Sequence, residues 1–410
     1  MANSFQTVSA GSAILKNYYA GPLLELLNDE VELYKASEKV KTGWSGSQMI
    51  RSLKVSRNQG VGATTDGGNL PKIGRAGFTT ATILAKYNYA RVGITAGMIK
   101  ASQSDVGSFV RSLGFEVKSA YSDLKKNLNR QLFWDGTATI AQVNTAAVAS
   151  TSLVIKGRTS AEAALKYIDV GTTFDIYNSS TLVASNITVS AISSGTPSGA
   201  TATLTLDQAV TASANYNLVL TGSYGNEIQG LYYALDGATT TAYGIDRSAV
   251  LSYQGNVSDV STGVNPVLSI DAMQNPWNEG LRRGNIGSYS AIFTDFTSLR
   301  YYQKLLQADK RYVNQMSGDG TFGNKGKFYL EFNGLPIVPS QDSPARFAMV
   351  PFDVMKMCEL AAMEVADEGN TGGMIPQSDV DSYEIRIRHF ANFFNEAPNA
   401  CAVLLGYTSP

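Results

Sequence analysis

The apolar positions between residues 105 and 133 predict one long amphipathic helix. They recur every three or four residues, which is the spacing of a helix with a single buried face. Ser104-Asp105 supplies an N-cap, and Asp135-Gly136 supplies a stop. At 1.5 Å per residue this helix is about 40 Å long. The residues of the apolar stripe are Val106, Val110, Leu113, Val117, Tyr121, Leu124, Leu128 and Leu132.

A long antiparallel ribbon is predicted ahead of this helix. Residues 47–57 alternate apolar and polar side chains, and residues 77–95 are rich in Thr, Ile, Tyr and Val, which favour strands. The residues between them are rich in Gly and Asn, a composition typical of turns. A strand over 77–95 would span about 60 Å at roughly 3.3 Å per residue. We therefore expect this ribbon to project from the domain and to be covered by something outside it.

A sharp change of composition marks residues 137–226. From Ile176 to Asn226 the only charged residue is Asp207, and Ser, Thr, Ala and Gly dominate. Short alternating runs are separated by turn-forming clusters, a pattern typical of a small all-β module.

The rest of the chain predicts a mixture of helices and strands. A short helix is expected around Leu23–Tyr34, near the start. The later helices are expected at Ile270–Arg283, Thr297–Val313 and Val354–Ala366, and the later strands at Ser290–Phe293, Lys327–Phe332, Leu335–Val338, Phe347–Val350, Ser382–Asn392 and Ala400–Leu405.

Composition and charge restrict the classes of protein to consider. A chain of 410 residues suggests two or three domains. Lys+Arg is 33 and Asp+Glu is 34, so the chain lacks the net charge of a dedicated nucleic-acid binder. Charged residues make up 16%, which suggests that much of the surface is covered, for instance by copies of the same chain. No secretory signal and no apolar run of about 18 residues is visible, so we expect a soluble protein made in a cytoplasm.

The sequence contains no arrangement of residues that predicts catalysis. The chain has a single histidine, His389, which excludes metal sites with several His ligands. His389 falls on the same face of its predicted strand as Ile385 and Ile387, which predicts a position in the core or at an interface. Cys358 and Cys401 are expected to be buried free thiols. Gly326-Lys327 lacks the rest of a P-loop. The prediction is no catalytic, cofactor or metal site.

One basic cluster lies on the predicted long helix. It is either a solvated face or a surface that contacts acidic neighbours or packaged nucleic acid. Its residues are Lys118, Lys125, Lys126 and Arg130.

The order of elements resembles the major capsid proteins of tailed bacteriophages, the Hong Kong 97-type fold family. Residues 57–71 are similar to the tip of that family's extended loop, and Asn127–Gly136 to the end of its spine helix. Glu227–Leu231 resembles the Glu-x-x-Gly-Leu segment that follows, and Phe332–Val338 the late strand pair. The resemblance covers nearly the whole chain except 137–226.

The resemblance implies an α+β fold with an inserted all-β domain, and a domain order along the chain. The implied parts are an N-terminal arm at 1–46, the extended loop at 47–95, the spine helix of the peripheral domain at 96–136, the inserted domain at 137–226, a mainly axial domain at 227–380 and C-terminal peripheral strands at 381–410. The loop residues implied to contact other subunits are Arg57, Asn58, Gly60, Gly62, Asp66, Asn69, Lys72 and Arg75.

The function implied is that of a structural, non-enzymatic shell subunit. Pentamers and hexamers would build an icosahedral head around double-stranded DNA, assembled in the cytoplasm of a bacterial host and residing in the virion. No coiled-coil segment precedes the arm, so a separate scaffolding protein is expected, together with a portal and a decoration protein.

Two alternatives stay open. One is an encapsulin-like cargo shell, which shares the fold. The other is a β-rich glycan-binding or hydrolytic protein that uses residues 137–226, although this module offers few of the paired acids that hydrolysis requires.

Overall fold

Two mixed sheets, a closed barrel, a short three-stranded sheet and one long helix are the largest elements in the described part of the chain. The structure is a computed structural model, and no helix in the part that it describes is both long enough and apolar enough to cross a membrane. The described residues are 32–97, 106–159, 162–196, 198–235, 241–261, 266–284, 286–307, 330–366, 375–377 and 380–410.

A five-stranded sheet joins segments from both ends of the chain. Its order is β1 (Glu38–Val40), β19 (Met355–Val365), β21 (Ser382–Asn395) and β20 (Ile375–Pro376), and β5 (Lys86–Thr95) pairs with β21. β1 is parallel to β19, whereas β21 is antiparallel to both β19 and β5. The long helix α2 (Val106–Leu132) lies against this sheet, and the short helix α1 (Glu32–Ala36) precedes β1.

The predicted long helix is confirmed. Its side chains Val117 and Ala120 pack on Val92 and Ile94 of β5, while Leu128 and Leu132 lie in the main core. The proposed N-cap residues, Ser104-Asp105, lie outside the described residues, as does the arm up to residue 31.

A six-stranded sheet forms the second body of structure. Its core includes Met273 and Trp277 of one flanking helix and Tyr302 of another. The strand order is β14 (Asn256–Asp259), β22 (Ala402–Leu405), β18 (Phe347–Val350), β15 (Ala291–Thr294), β17 (Leu335–Pro339) and β16 (Glu331–Phe332), flanked by α4 (Ile270–Gly284) and α5 (Phe296–Gln307).

Shorter elements connect these bodies. The helix α3 (Leu231–Leu235) is followed by the hairpin of β12 (Thr241–Ala242) and β13 (Ile245–Asp246).

A closed six-stranded barrel lies between α2 and α3 in sequence. It has its own apolar core, in which Leu153, Phe174 and Leu204 are fully buried. The strands β6 (Thr139–Val143), β7 (Ala147–Lys156), β8 (Thr173–Asn178), β9 (Thr181–Ser194), β10 (Thr201–Ala212) and β11 (Asn217–Leu220) close in the order β10-β7-β6-β11-β8-β9.

The ribbon is shorter than the sequence pattern predicts. β2 (Trp44–Ser45), β3 (Gln48–Lys54) and β4 (Phe78–Leu84) form a three-stranded sheet, and residues 55–77 contain no strand. The single 60 Å strand expected over 77–95 is wrong. The strand is interrupted at Ala85, whose N–H bonds to the carbonyl of Ser47. After this interruption β5 pairs with β21 and no longer with β3.

The helix predicted at Val354–Ala366 is also wrong. Met, Glu, Leu and Ala favour helices by intrinsic propensity. Here the segment is the strand β19, in which Met355 and Met357 are fully buried and pair with Asn395 and Phe393 of β21. Pairing on both sides, with β21 and with β1, outweighs the local helix preference.

Candidate assembly surfaces

The loop between β3 and β4, residues 55–77, is the most exposed long segment that the structure describes. Seven of the eight loop residues predicted to contact other subunits are exposed, and Gly60 is half-buried. The two sides of the loop touch at Gly60 and Gly74. A Cβ on Gly74 would lie 2.2 Å from the backbone nitrogen of Gly60, so only glycine permits this approach.

Apolar and basic side chains share this loop surface. Val61 is 85% exposed and Ile73 fully exposed, and no described residue of the chain covers either one. Residues 48–84 contain five Lys or Arg residues and one acid, Asp66. An exposed apolar patch rimmed by charge is typical of a protein contact surface.

The two strands that carry this loop, β3 and β4, form a hairpin whose base, in contrast, packs against the rest of the protein. Met49, Ala81 and Ile83 are buried with Tyr243 and Phe394. The N–H of Thr82 also bonds to the carbonyl of Tyr243 at 2.8 Å. The loop therefore extends from a fixed base.

Three of the four basic residues predicted on the long helix lie at its surface. Lys118 is exposed, Lys125 lies 4.6 Å from the ring centre of Tyr121, and Lys126 is 3.5 Å from Asp123. Exposed pairs of this kind contribute about 0–1 kcal/mol each.

The fourth residue, Arg130, does not belong to that surface, and its prediction is wrong. Its side chain is 2% exposed and forms an ion pair with Glu227, which is 3% exposed. Arg130 also donates to Asn127 Oδ1 at 2.7 Å and lies 5.8 Å from the ring centre of Tyr167. The chain that returns from the barrel covers this part of α2, which the helical periodicity alone does not reveal.

A second buried ionic cluster joins the barrel to the body. Arg158 donates to Glu162 at 2.8 Å and lies 4.0 Å from the ring centre of Trp134, two residues after the end of α2. Burial opposes ionisation of Glu162, but its hydrogen bonds from Arg158 and Lys166 lower its pKa to about 2. Glu162 is therefore charged at neutral pH and pairs with two cations, Arg158 and Lys166.

One carboxylate, Asp342, links the barrel and the helix directly. Tyr167 of the barrel segment donates to Asp342 Oδ1 at 2.9 Å, and Asn129 of α2 donates to Oδ2 at 2.7 Å. The barrel is thus fixed to α2 and to the turn after β17 by hydrogen bonds as well as by the chain itself.

Sequence reasoning missed this junction. The spacing of Arg158, Glu162 and Lys166 by four residues was a visible signal for local ion pairs. Nothing in the sequence indicated that Asp342, far along the chain, would join them.

The structure places the single histidine and the two cysteines in the core. His389 is fully buried, and Cys358 and Cys401 are buried free thiols, as predicted. Glu364 of β19, which is exposed, pairs with Arg388 of β21 at 2.9 Å. No group of three potential metal ligands occurs among the residues that the structure describes.

Comparison with solved structures shows a match over almost the entire chain. A cyanophage A-1(L) capsid subunit aligns with 97% of this chain and 98% of its own, with a TM-score of 0.57 and 14% identity. The capsid of a native GTA particle aligns over 99% and 100%, with a TM-score of 0.53 and 9% identity. The chain has a phage-capsid fold. The resemblance found in the sequence is therefore confirmed at the level of this fold.

Comparisons of sequence do not detect the capsid fold. No protein-family model matches the chain, and no curated protein matches it. At 9–14% identity the capsid structures share architecture with this chain and few residues.

The buried pair predicts how Arg130 contributes to the capsid fold. Arg130→Gln should destabilise the chain by about 3–5 kcal/mol, because the carboxylate of Glu227 would stay buried without its cation. Lys126→Gln is the matched control on the same helix. It removes only the exposed pair with Asp123 and should change the free energy of unfolding by less than about 1 kcal/mol. Chemical denaturation of both variants measures the difference, and equal midpoints would contradict the role of the buried pair.

Proposed function

We propose that this protein is a structural major capsid protein, the subunit of the icosahedral head of a tailed bacteriophage. The observation that carries the proposal is the exposed loop 55–77 on a chain that aligns end to end with phage capsid subunits. Its apolar side chains gain a buried environment only when another molecule covers them. A shell of identical copies supplies such a partner at every position.

The resemblance suggests how the parts would serve this shell. Residues 47–95 would contain the inter-subunit loop, and α2 would be the spine of a peripheral domain. The six-stranded sheet and its helices would form most of an axial domain within 227–380. We further propose pentamers and hexamers as the building units, with a separate scaffolding protein, a portal and a decoration protein as partners in the head.

The first experiment removes the loop. Deleting Gly60–Asn69 should leave the monomer folded, because the hairpin base around Met49 and Ile83 stays intact. Particle formation should fall strongly, since the deletion removes the exposed Val61 and shortens the loop that carries Leu70 and Ile73. Sedimentation and negative-stain electron microscopy measure both outcomes.

A milder variant keeps the length of the loop. Val61→Ser, Leu70→Ser and Ile73→Ser together should also reduce assembly, whereas Val148→Ser and Val170→Ser on the barrel surface serve as the control. Normal particles from both loop variants would contradict the proposal. Recovery of particles that hold protein cargo and no DNA would favour the encapsulin-like alternative.

The second experiment concerns contact with packaged DNA through α2. Lys118→Gln, Lys125→Gln and Lys126→Gln together should lower the salt concentration at which particles release DNA. Each lost phosphate contact reduces the slope of log affinity against log salt by about 0.9.

The control for this experiment removes the same charge elsewhere. Lys156→Gln, Arg300→Gln and Lys304→Gln take three cations from the barrel and from α5, and DNA release should match the parent protein. Identical release from both triple variants would show that the α2 surface is only solvated.

The third experiment tests whether residues 137–226 form an inserted domain. Expressed alone, this segment should give a strand-type circular dichroism spectrum and unfold cooperatively, because the barrel closes on its own core. Phe174→Ala should cost about 3–5 kcal/mol, whereas Leu182→Ala, at an exposed position, should have little effect. A disordered spectrum of the parent segment would contradict its autonomy.

A further inference from the structure

A straight row of side chains crosses four neighbouring strands on the outside of the barrel. Tyr177 of β8 lies opposite Asn217 of β11, which lies opposite Gln142 of β6, and Gln142 in turn lies opposite Lys156 of β7. All four residues are half-buried, whereas Ile176, the neighbour of Tyr177, lies in the barrel core. We call this row the polar ladder. Since paired strands are about 4.8 Å apart, the ladder is about 14 Å long.

One end of the polar ladder is a pair of stacked aromatic rings. The ring centres of Tyr177 and Tyr224 are 4.2 Å apart, with an angle of 12° between the ring planes. Tyr224 lies in the segment that leads out of the barrel, and Lys86 of β5 donates to the carbonyl of the next residue, Gly225, at 2.7 Å. The stack restricts the ring of Tyr177, so a flat aromatic surface exists before any ligand arrives. Such preorganisation lowers the entropy cost of binding.

Two amides stand beside the aromatic pair. Gln142 Nε2 donates to Asn217 Oδ1 at 3.1 Å, so each side chain orients the other. A carboxamide carries two N–H donors and an oxygen that accepts two hydrogen bonds, so this single bond leaves both amides able to make more. Neighbouring hydroxyls of a sugar ring are donors and acceptors at once. An oriented pair of amides matches that arrangement.

The charge of this surface favours a neutral ligand. Lys156 is the only charged member of the polar ladder, and Asp207 is the only charged residue from Ile176 to Asn226. Sites for single-stranded nucleic acid also stack bases on aromatic rings, but they add a groove of cations along the phosphates. One lysine does not supply such a groove, and an acidic polysaccharide would need similar cations.

We propose that the polar ladder binds a neutral oligosaccharide. One sugar ring packs its C–H groups against the tyrosine pair, and the hydroxyls of the following rings bond to Asn217, Gln142 and Lys156. An apolar surface with a few fixed polar groups is the usual composition of a small-ligand site. This activity of the barrel is additional to the shell function proposed above and does not depend on it.

A glycan array tests the class of ligand. The full chain, labelled with a fluorophore, is applied to neutral oligosaccharides of glucose, galactose, mannose and N-acetylglucosamine, with alginate oligosaccharides and oligo(dT) as anionic probes. Binding to at least one neutral oligosaccharide and to neither anionic probe is expected. Failure to bind any neutral oligosaccharide overturns the proposal. Stronger binding to oligo(dT) also overturns it and identifies a nucleic-acid surface instead.

Variants of the polar ladder locate the site. Tyr177→Ala should weaken binding of the selected oligosaccharide about tenfold, measured by isothermal titration calorimetry. Tyr177→Phe keeps the ring and should retain most of the affinity, which a role of the hydroxyl alone would not predict. Gln142→Ala and Asn217→Ala together should also weaken binding about tenfold, since two hydrogen-bonding groups are lost.

Control variants separate the polar ladder from the rest of the surface. Gln208→Ala removes an exposed amide from another part of the barrel, and Tyr89→Ala removes an exposed tyrosine from β5. Both should bind the oligosaccharide as the parent chain does. Circular dichroism establishes that each variant is folded. Unchanged affinity in folded Tyr177→Ala and in the double amide variant would overturn the proposal, whatever the outcome of the assembly experiments.

Discussion

The pairing of β21 with β5 on one side and β19 on the other is the interaction on which the described structure depends. β21 comes from the last thirty residues, yet its neighbours are separated from each other by more than 250 positions. Ten consecutive residues of β21 pair with β5. Since these contacts are distant in sequence, the sheet is complete only when segments from both parts of the chain meet, and it provides the surface on which α2 packs.

This sheet sets where the chain can leave the body and return to it. The hairpin of β3 and β4 begins after β2 and continues directly into β5, so its base is fixed while its loop is not covered. The barrel leaves at the end of α2 and returns at Glu227. There the Arg130–Glu227 pair joins the outgoing helix to the incoming chain. The hairpin and the barrel thus each start and end at fixed points. Such an arrangement suits modules that must face other molecules in a defined direction.

Local patterns in the sequence predicted elements whose partners lie nearby or on a single face. The helix α2 was predicted almost to the residue because one stripe of apolar side chains covers its full length. The strand β19 was missed because its residues favour a helix, and its two partner strands are distant in sequence. Arg130 was misplaced for the same reason, since Glu227 reaches it only after the whole barrel has been traversed. Sequence patterns report periodicity and propensity, whereas burial of a charge depends on contacts that neither one encodes.

The net charge of the whole chain differs from the net charges of its parts. The net charge of −1 conceals a hairpin, residues 48–84, that carries +4, so the remaining residues carry −5. In the shell proposed above, a nearly neutral total would keep copies of the chain from repelling one another strongly, while the separated charges would attract the hairpin of one copy to the body of another. Each exposed contact is weak, about 0–1 kcal/mol, and is screened by salt. In a closed assembly every copy makes the same contact, so a weak and reversible interaction suffices to favour one geometry and permits wrongly placed subunits to dissociate.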